Sequence, residues 1–190
     1  MASLRTLRRA PRPFTAERFL AEASRLRPIG VRDLPFLREM LHQAAPAGPR
    51  MAGRAGGGRG ARPAIARYLV GWGRPGDGGL IAFGAGGRPV GAAWHRIFGL
   101  HERGGGVLAL PGVPEIVIAV APAARACGVG GALLRALMER AWQSGCRRLA
   151  VAVDPESPAA ALFLRHGFEP VADAAGADGA LAMVARLEDA

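Results

Sequence analysis

A mixed α+β domain built on one sheet is the fold this sequence predicts, and three observations predict it. Short apolar runs of strand character alternate with glycine-rich turns in the middle of the chain. One of these runs, Glu115 to Val120 (EIVIAV), is hydrophobic on both faces, which suits a central strand covered from both sides. Apolar residues at helical spacing flank this region, but not in the strict strand–helix alternation of a doubly wound sheet. The expected order is strand, helix, helix, a meander of strands, then strand–helix–strand–helix–strand–strand.

Each element has a local cause. A short strand running to Pro28 turns into a helix capped by Asp33, with Pro35 tolerated in its first turn. Phe36, Leu37, Met40 and Leu41 recur at helical spacing and form its buried face. A second helix is expected from Ala64 to about Val70, with Ile65, Tyr68 and Leu69 on one side as core residues. Leu80 to Phe83 and Val90 to Phe98 form a hairpin around the turn Gly84 to Gly87. Trp94 and His95 point to opposite faces of its second strand, Trp94 as a packing residue and His95 as a partly exposed polar one. Leu133, Leu134, Leu137, Met138, Ala141 and Trp142 form the apolar stripe of a long helix that Gly145 ends. Leu149 to Val153 is a second buried strand. Ser157 caps a helix opened by Pro158 and closed by Gly167, and Phe168–Val171 and Leu181–Leu187 are the final strands.

With 190 residues, half of them apolar, the chain has material for one compact domain and too little for two. No apolar run reaches the ~20 residues of a membrane helix, so no membrane partner is expected. Two cysteines, Cys127 and Cys146, make neither a disulfide scaffold nor a zinc site, which fits a reducing, cytoplasmic setting and predicts no metal. The net charge of +10 is concentrated at the front: residues 1–62 hold 13 Arg and 4 acids, residues 63–190 hold 12 Arg and 11 acids. The chain has no Lys and no Asn, a bias that looks like base composition as much as selection for charge. A nucleic-acid partner is therefore not expected from charge alone, because such proteins cluster charge on an ordered face or motif. Residues 1–24 read as a basic N-terminal extension, 25–190 as the domain, and 46–63 as a flexible Gly/Arg loop within it.

The chemistry lies between the EIVIAV strand and the long helix. Gly128, Gly130 and Gly131 fall where strand hands over to helix, so the backbone can approach an anion closely. The first amides of a helix lack intrahelical acceptors, and with the helix dipole they suit a pyrophosphate. A nucleotide and an acyl-CoA both carry one. A dinucleotide fingerprint would need glycine at position 133, which is Leu, and a Walker loop would need a Lys the chain does not have.

What matches is Arg125-x-x-Gly128-x-Gly130 after an apolar strand ending Val120-x-Pro122. Here the sequence resembles the GNAT superfamily of acyl-CoA-dependent N-acetyltransferases, over roughly Leu26 to Leu187. RPIGVRDLPFLREML, the hairpin, EIVIAVAPAARACGVGGALL and PAAALFLRHGFEPV follow in the family's order. The resemblance implies a mixed, mostly antiparallel central sheet of six or seven strands flanked by about four helices. It implies acetyl-CoA as cosubstrate and a small-molecule or peptide amine as acceptor, and leaves a homodimer open.

Roles carry over position by position. The resemblance implies that the backbone of Ile118, Ala119 and Val120 lies along the pantetheine arm, with the groups of Ile118 and Val120 pairing to it. Amides of Arg125, Ala126, Cys127, Gly128, Val129, Gly130, Gly131 and Ala132 wrap the pyrophosphate, and the Arg125 side chain either reaches the phosphates or braces the loop. Glu115 stands where several family members carry a general base. An amine arrives mostly as ammonium, and a carboxylate whose affinity for protons is lifted by an apolar strand can deprotonate it. The family pattern Asn-x-x-Ala-x-x-Leu-Tyr falls on Glu156, Ala159, Leu162 and Phe163, with two departures. Phe163 replaces the tyrosine that often protonates the leaving thiolate, and Glu156 replaces the asparagine that helps position the cofactor. Two other readings stand beside acetyl transfer: a CoA-binding regulatory module without turnover, and a nucleic-acid-binding protein acting through its basic N-terminal third.

Overall fold

The structure, a computed structural model, describes residues 26–44, 66–99, 102, 110–175 and 180–188, with 172–175 described by backbone alone. The expected extension at 1–24 and the Gly/Arg loop at 46–63 lie outside the described residues. Seven strands form one sheet: β1 (Leu26–Pro28), β2 (Gly78–Phe83), β3 (Pro89–Arg96), β4 (Glu115–Val120), β5 (Arg148–Val153), β6 (Glu169–Ala175) and β7 (Leu181–Arg186). Their spatial order is β1-β2-β3-β4-β5-β7-β6, and every pairing is antiparallel except β4 with β5. Three α-helices are described: α1 (Leu34–Ala44), α2 (Val129–Gln143) and α3 (Pro158–Arg165).

The two faces of β4 separate two cores. Ile116, Ile118 and Val120 face α2, whose Leu133, Leu134 and Leu137 are fully buried against Leu149 and Val151 of β5. Val117 and Ala119 face α1, where Leu37, Met40 and Leu41 pack on Ile81 and Trp94. The run of small residues Gly91, Ala92 and Ala93 in β3 lets a helix approach from each side; a Cβ on Gly91 would already lie 3.1 Å from Leu133.

Several expectations hold in detail. Ser157 accepts a hydrogen bond from the Ala159 amide at 3.2 Å and caps α3 before Pro158. Gly145 and Gly167 adopt φ of +87° and +78° just past the ends of α2 and α3, a conformation that favours glycine.

Three others need correction. Asp33 does not cap α1: it ends a 3-10 turn (Val31–Asp33) that runs directly into the helix, and its carboxylate reaches back to the Gly30 amide at 2.7 Å. Arg27 holds it there at 2.8 Å, so a pairing with the neighbouring strand decides the orientation of this side chain. The second helix, whose first residues 64–65 lie outside the described residues, ends early: the Val70 amide still bonds to Ala66 O at 3.0 Å, as in a helical turn. Ala66 is helical and 67–73 is a series of turns with Gly71 and Gly73 at positive φ. The carbonyls of Arg67, Val70 and Gly71, which the end of a helix leaves without intrahelical partners, accept from the Arg96 guanidinium. His95 is buried at 4 % exposure, on the face where it lines a cavity with Gly78 and with Arg140 and Ser144 at the C-terminal end of α2.

Candidate active site

The feature that organises the site is the parting of β4 and β5. They share a single register pair, Glu115 with Ala150, anchored by the Ala150 amide donating to Pro114 O at 2.9 Å. On its other side β4 pairs with β3 over its full length. Backbone groups alternate between the two edges of a strand. The Pro114 carbonyl faces β5 and the Ala121 amide faces β3, donating to Val90 O at 2.8 Å. Alternation then turns Ile116, Ile118 and Val120 toward the gap and Ala119 toward β3. Of the three residues expected along the arm, Ile118 and Val120 offer main-chain groups to the gap and Ala119 does not.

The loop after β4 is shaped for an anion. A 3-10 turn (Pro122–Ala124) leads to Ala126 at φ +58°, the one non-glycine residue with positive φ among the described residues. Gly128 follows at φ +79° and stands at the N-cap of α2. Left-handed residues alternating with ordinary ones turn successive N–H groups to the same side, a concavity that suits an anion. The first intrahelical bond is Ala132 N to Gly128 O, so the amides of Val129, Gly130 and Gly131 come before any helical acceptor. At Gly130 an added Cβ would lie 3.4 Å from Leu162 of α3 and 3.8 Å from Val120, so α3 and the end of β4 close around this turn.

Arg125 braces this loop. Its Nε donates to Val120 O at 3.0 Å and its Nη2 to Gln43 of α1 at 3.2 Å, tying strand end to helix end. Cys127 bonds through Sγ to Arg125 O at 3.3 Å. Glu156 lies exposed in the turn after β5, its amide bonded to Asp154 at 2.9 Å. Phe163 is 2 % exposed on the buried side of α3, edge-on to Phe168 with ring centroids 5.2 Å apart, and it carries no proton to give.

Glu115 lies where β4 and β5 still touch, on the α1 face, at 2 % exposure. Its Oε2 accepts the Tyr68 hydroxyl at 2.8 Å. Burial first, and then the Glu115 charge and hydrogen bond, push the Tyr68 phenol far above its ordinary range, so it stays protonated as a donor. Tyr68 is the single tyrosine of the chain and is held edge-on to Phe98 at 5.2 Å. Sequence reasoning took it as a core residue. Only a contact across 47 positions reveals its chemistry, and its uniqueness in the sequence was the one available signal.

The site therefore combines a strand edge open to an extended ligand, a concave run of loop and helix-start amides at one end of it, and a buried carboxylate at the other. That set fits an acyl-CoA, with Ile118 and Val120 for the arm and Ala126 to Gly131 for the diphosphate. Among the described residues no group of three or more His, Cys, Asp or Glu could hold a metal ion, and no helix is long and apolar enough to cross a membrane.

Comparison with known proteins agrees with this geometry. The sequence model of the Acetyltransferase (GNAT) family matches residues 53–168, more than half of the chain, and the protein belongs to that family. The GNAT domain of S. lividans PAT is similar at 21 % identity, covering 85 % of this chain and 89 % of that one, with a TM-score of 0.59. Ribosomal-protein-alanine N-acetyltransferase from Brucella melitensis is similar at 22 % identity over 84 % of this chain and 96 % of that one, TM-score 0.57. A phosphinothricin acetyltransferase from Sinorhizobium meliloti, in complex with AcCoA, gives 22 % identity, coverage of 85 % and 87 %, and TM-score 0.57. At these identities the likeness is one of fold. No curated protein sequence matches the chain.

Proposed function

We propose that this GNAT-family protein transfers an acetyl group from acetyl-CoA to a primary amine of a small molecule or peptide. The observation that carries the proposal is the parting of β4 from β5 after one residue pair, with the amide nest of Ala126–Gly131 at the far end of the opening. Membership of the family and the range of acceptors named for its structural neighbours, phosphinothricin and ribosomal-protein alanine, support it.

Bound acetyl-CoA supplies a thioester carbonyl, the electrophile that a neutral amine attacks with loss of a thiolate. The chain's own contribution begins with orientation. Main-chain groups of Ile118 and Val120 hold an extended ligand as a further strand would, and the loop amides fix its charged end, which converts a bimolecular encounter into a positioned one. An N–H on the open edge of β4 is available to a developing oxyanion without reorganising. Glu115 takes the ammonium proton, directly or through water, and Tyr68 keeps the carboxylate oriented by donating to Oε2. Phe163 leaves the thiolate without the family's usual acid; a thiol's ordinary pKa of about 8.5 makes it a tolerable leaving group without one.

Incubating the full chain with acetyl-CoA and a panel of amines, and following thiol release, tests this. Glu115→Gln is expected to lower turnover by about 10²-fold or more while leaving CoA affinity as it was. CoA binding with no thiol release from any amine points instead to a binding module without turnover. Unchanged turnover in Glu115→Gln removes that residue from the role of base.

A further inference from the structure

Behind Glu115 lies an arrangement that the acyl-transfer chemistry above does not use. Arg96 ends β3 directly opposite Glu115 in the β3–β4 register, and it is 1 % exposed. Its guanidinium has five N–H donors, and five acceptors meet them. Nε and Nη2 bind the two oxygens of Asp77 at 2.9 and 2.8 Å. Nη1 donates to Arg67 O at 2.7 Å and to Val70 O, and Nη2 donates also to Gly71 O at 2.9 Å. Asp77 is completed by the amides of Gly73 and Arg74 at 2.9 and 3.2 Å.

The three carbonyls bracket Tyr68 on both sides in sequence. The segment that carries Tyr68 is a series of turns with two left-handed glycines, Gly71 and Gly73, and these carbonyls close onto Arg96. Burying a charged pair with side chains 1 % and 2 % exposed is seldom favourable against apolar residues of the same size. What it supplies here is a fixed geometry: a planar fork that grips one turn at three points while locked to the residue just before β2 by a carboxylate.

We propose that Arg96 is a positioning residue, which through the turn 67–71 sets the Tyr68 hydroxyl on Glu115 and so fixes the orientation of that carboxylate for proton removal. The inference rests on the acetyltransferase reading of Glu115. Arg96 shares the α1 face with Glu115 and its charge is matched by Asp77; Arg96→Lys keeps that charge, so what the substitution changes is the grip on the turn that carries Tyr68. Arg67 is a further charged group beside the pair among the described residues, its guanidinium 5.9 Å from the Tyr68 ring centroid. His95 belongs to the opposite face, with Arg140 of α2 near it.

Because Tyr68 is the single tyrosine, full-length protein labelled with 13Cζ-tyrosine gives one resonance, read without any acceptor. That resonance is expected to move in Glu115→Gln. Arg96→Lys, which has three donors for five acceptors, is expected to move it the same way. Gly71→Ala strains the φ of +63° without altering charge and keeps the test available should Arg96→Lys not fold; a smaller displacement in the same direction is expected.

With an amine substrate in hand, Tyr68→Phe removes a hydrogen bond to the charged carboxylate. The acid limb of the kcat/KM profile is expected to rise by about one pH unit. Arg96→Lys alone is expected to raise it similarly, and to add nothing in the Tyr68→Phe background. A resonance unmoved in folded Arg96→Lys and in Gly71→Ala, together with a depressed Glu115→Gln, overturns this inference alone. So does a further rise of the limb when Arg96→Lys is added to Tyr68→Phe. Wild-type turnover in Glu115→Gln overturns the reading of Glu115 and the inference with it.

Discussion

Gly128→Ala and Gly145→Ala form a matched pair on one helix. Gly128 has φ +79° at the N-cap of α2, and Gly145 has φ +87° just past its C-terminal end. A Cβ built on either residue meets nothing within 4 Å, so neither substitution clashes and only the left-handed backbone is penalised. That penalty is about 1 kcal/mol for an L-residue, which in a domain of this size lowers Tm by about 2–4 °C. Both variants should show it by thermal unfolding. The consequences for coenzyme A differ. At Gly128 the strain is relieved by rotating the peptides that carry the Val129 and Gly130 amides, so in the proposed binding mode a diphosphate must restore the strained geometry. An energy of about 1 kcal/mol weakens affinity about fivefold. Gly145 lies beyond the other end of the 15-residue α2, about 22 Å away along the axis, and its variant should bind coenzyme A as wild type does. Isothermal titration of both proteins decides the matter. Equal losses of affinity, or none in Gly128→Ala, would refute the role given to this turn.

Two further outcomes follow from the packing and the charges. Gly79→Ala places a methyl 2.6 Å from Trp94 Cβ, 2.9 Å from Ala93 O and against Ile29, so the β2–β3 ladder must shift; a loss of about 1–3 kcal/mol by urea unfolding is expected. Burial chiefly, with the charge of Arg140, holds His95 below its ordinary 6.5 against the opposing pull of Asp77 and the Gly76 carbonyl. The unfolded chain then binds the extra proton first, so the contribution of His95 to stability is full above about pH 6.5 and is lost as pH falls through the folded value. His95→Asn is expected to flatten the urea midpoint over that window, and an unchanged slope would show that His95 does not titrate differently on folding.

Much of this fold is written locally. Ser157 with Pro158, the terminating glycines 145 and 167, and the two-faced apolar run EIVIAV each carry their structural consequence in a few adjacent residues. The shape of the loop after β4 is legible for the same reason, since glycines at a strand-to-helix junction expose amides whatever surrounds them. What sequence does not carry is the consequence of distant pairing. Asp33 is a good cap by type, yet Arg27 from the neighbouring strand and the Gly30 amide direct its carboxylate elsewhere. Ala64 to Val70 has helical spacing, but its described part gives way to turns whose carbonyls at Arg67 and Val70 are held by Arg96, 29 and 26 positions away. The placement of β7 between β5 and β6 and the opening beside β4 are likewise properties of the assembled sheet. Tyr68 became part of the site only through a contact with Glu115 that no spacing announces.

The most direct measurement is a titration of 15N-labelled full-length protein with coenzyme A, followed at the backbone amides and repeated with pantetheine, which has the arm but no diphosphate. Coenzyme A should displace the resonances of Ala126 to Gly131 together with those of Ile118 and Val120, while pantetheine should displace only the latter two. Coenzyme A that binds without moving the Ala126–Gly131 amides, or that does not bind at all, contradicts the account.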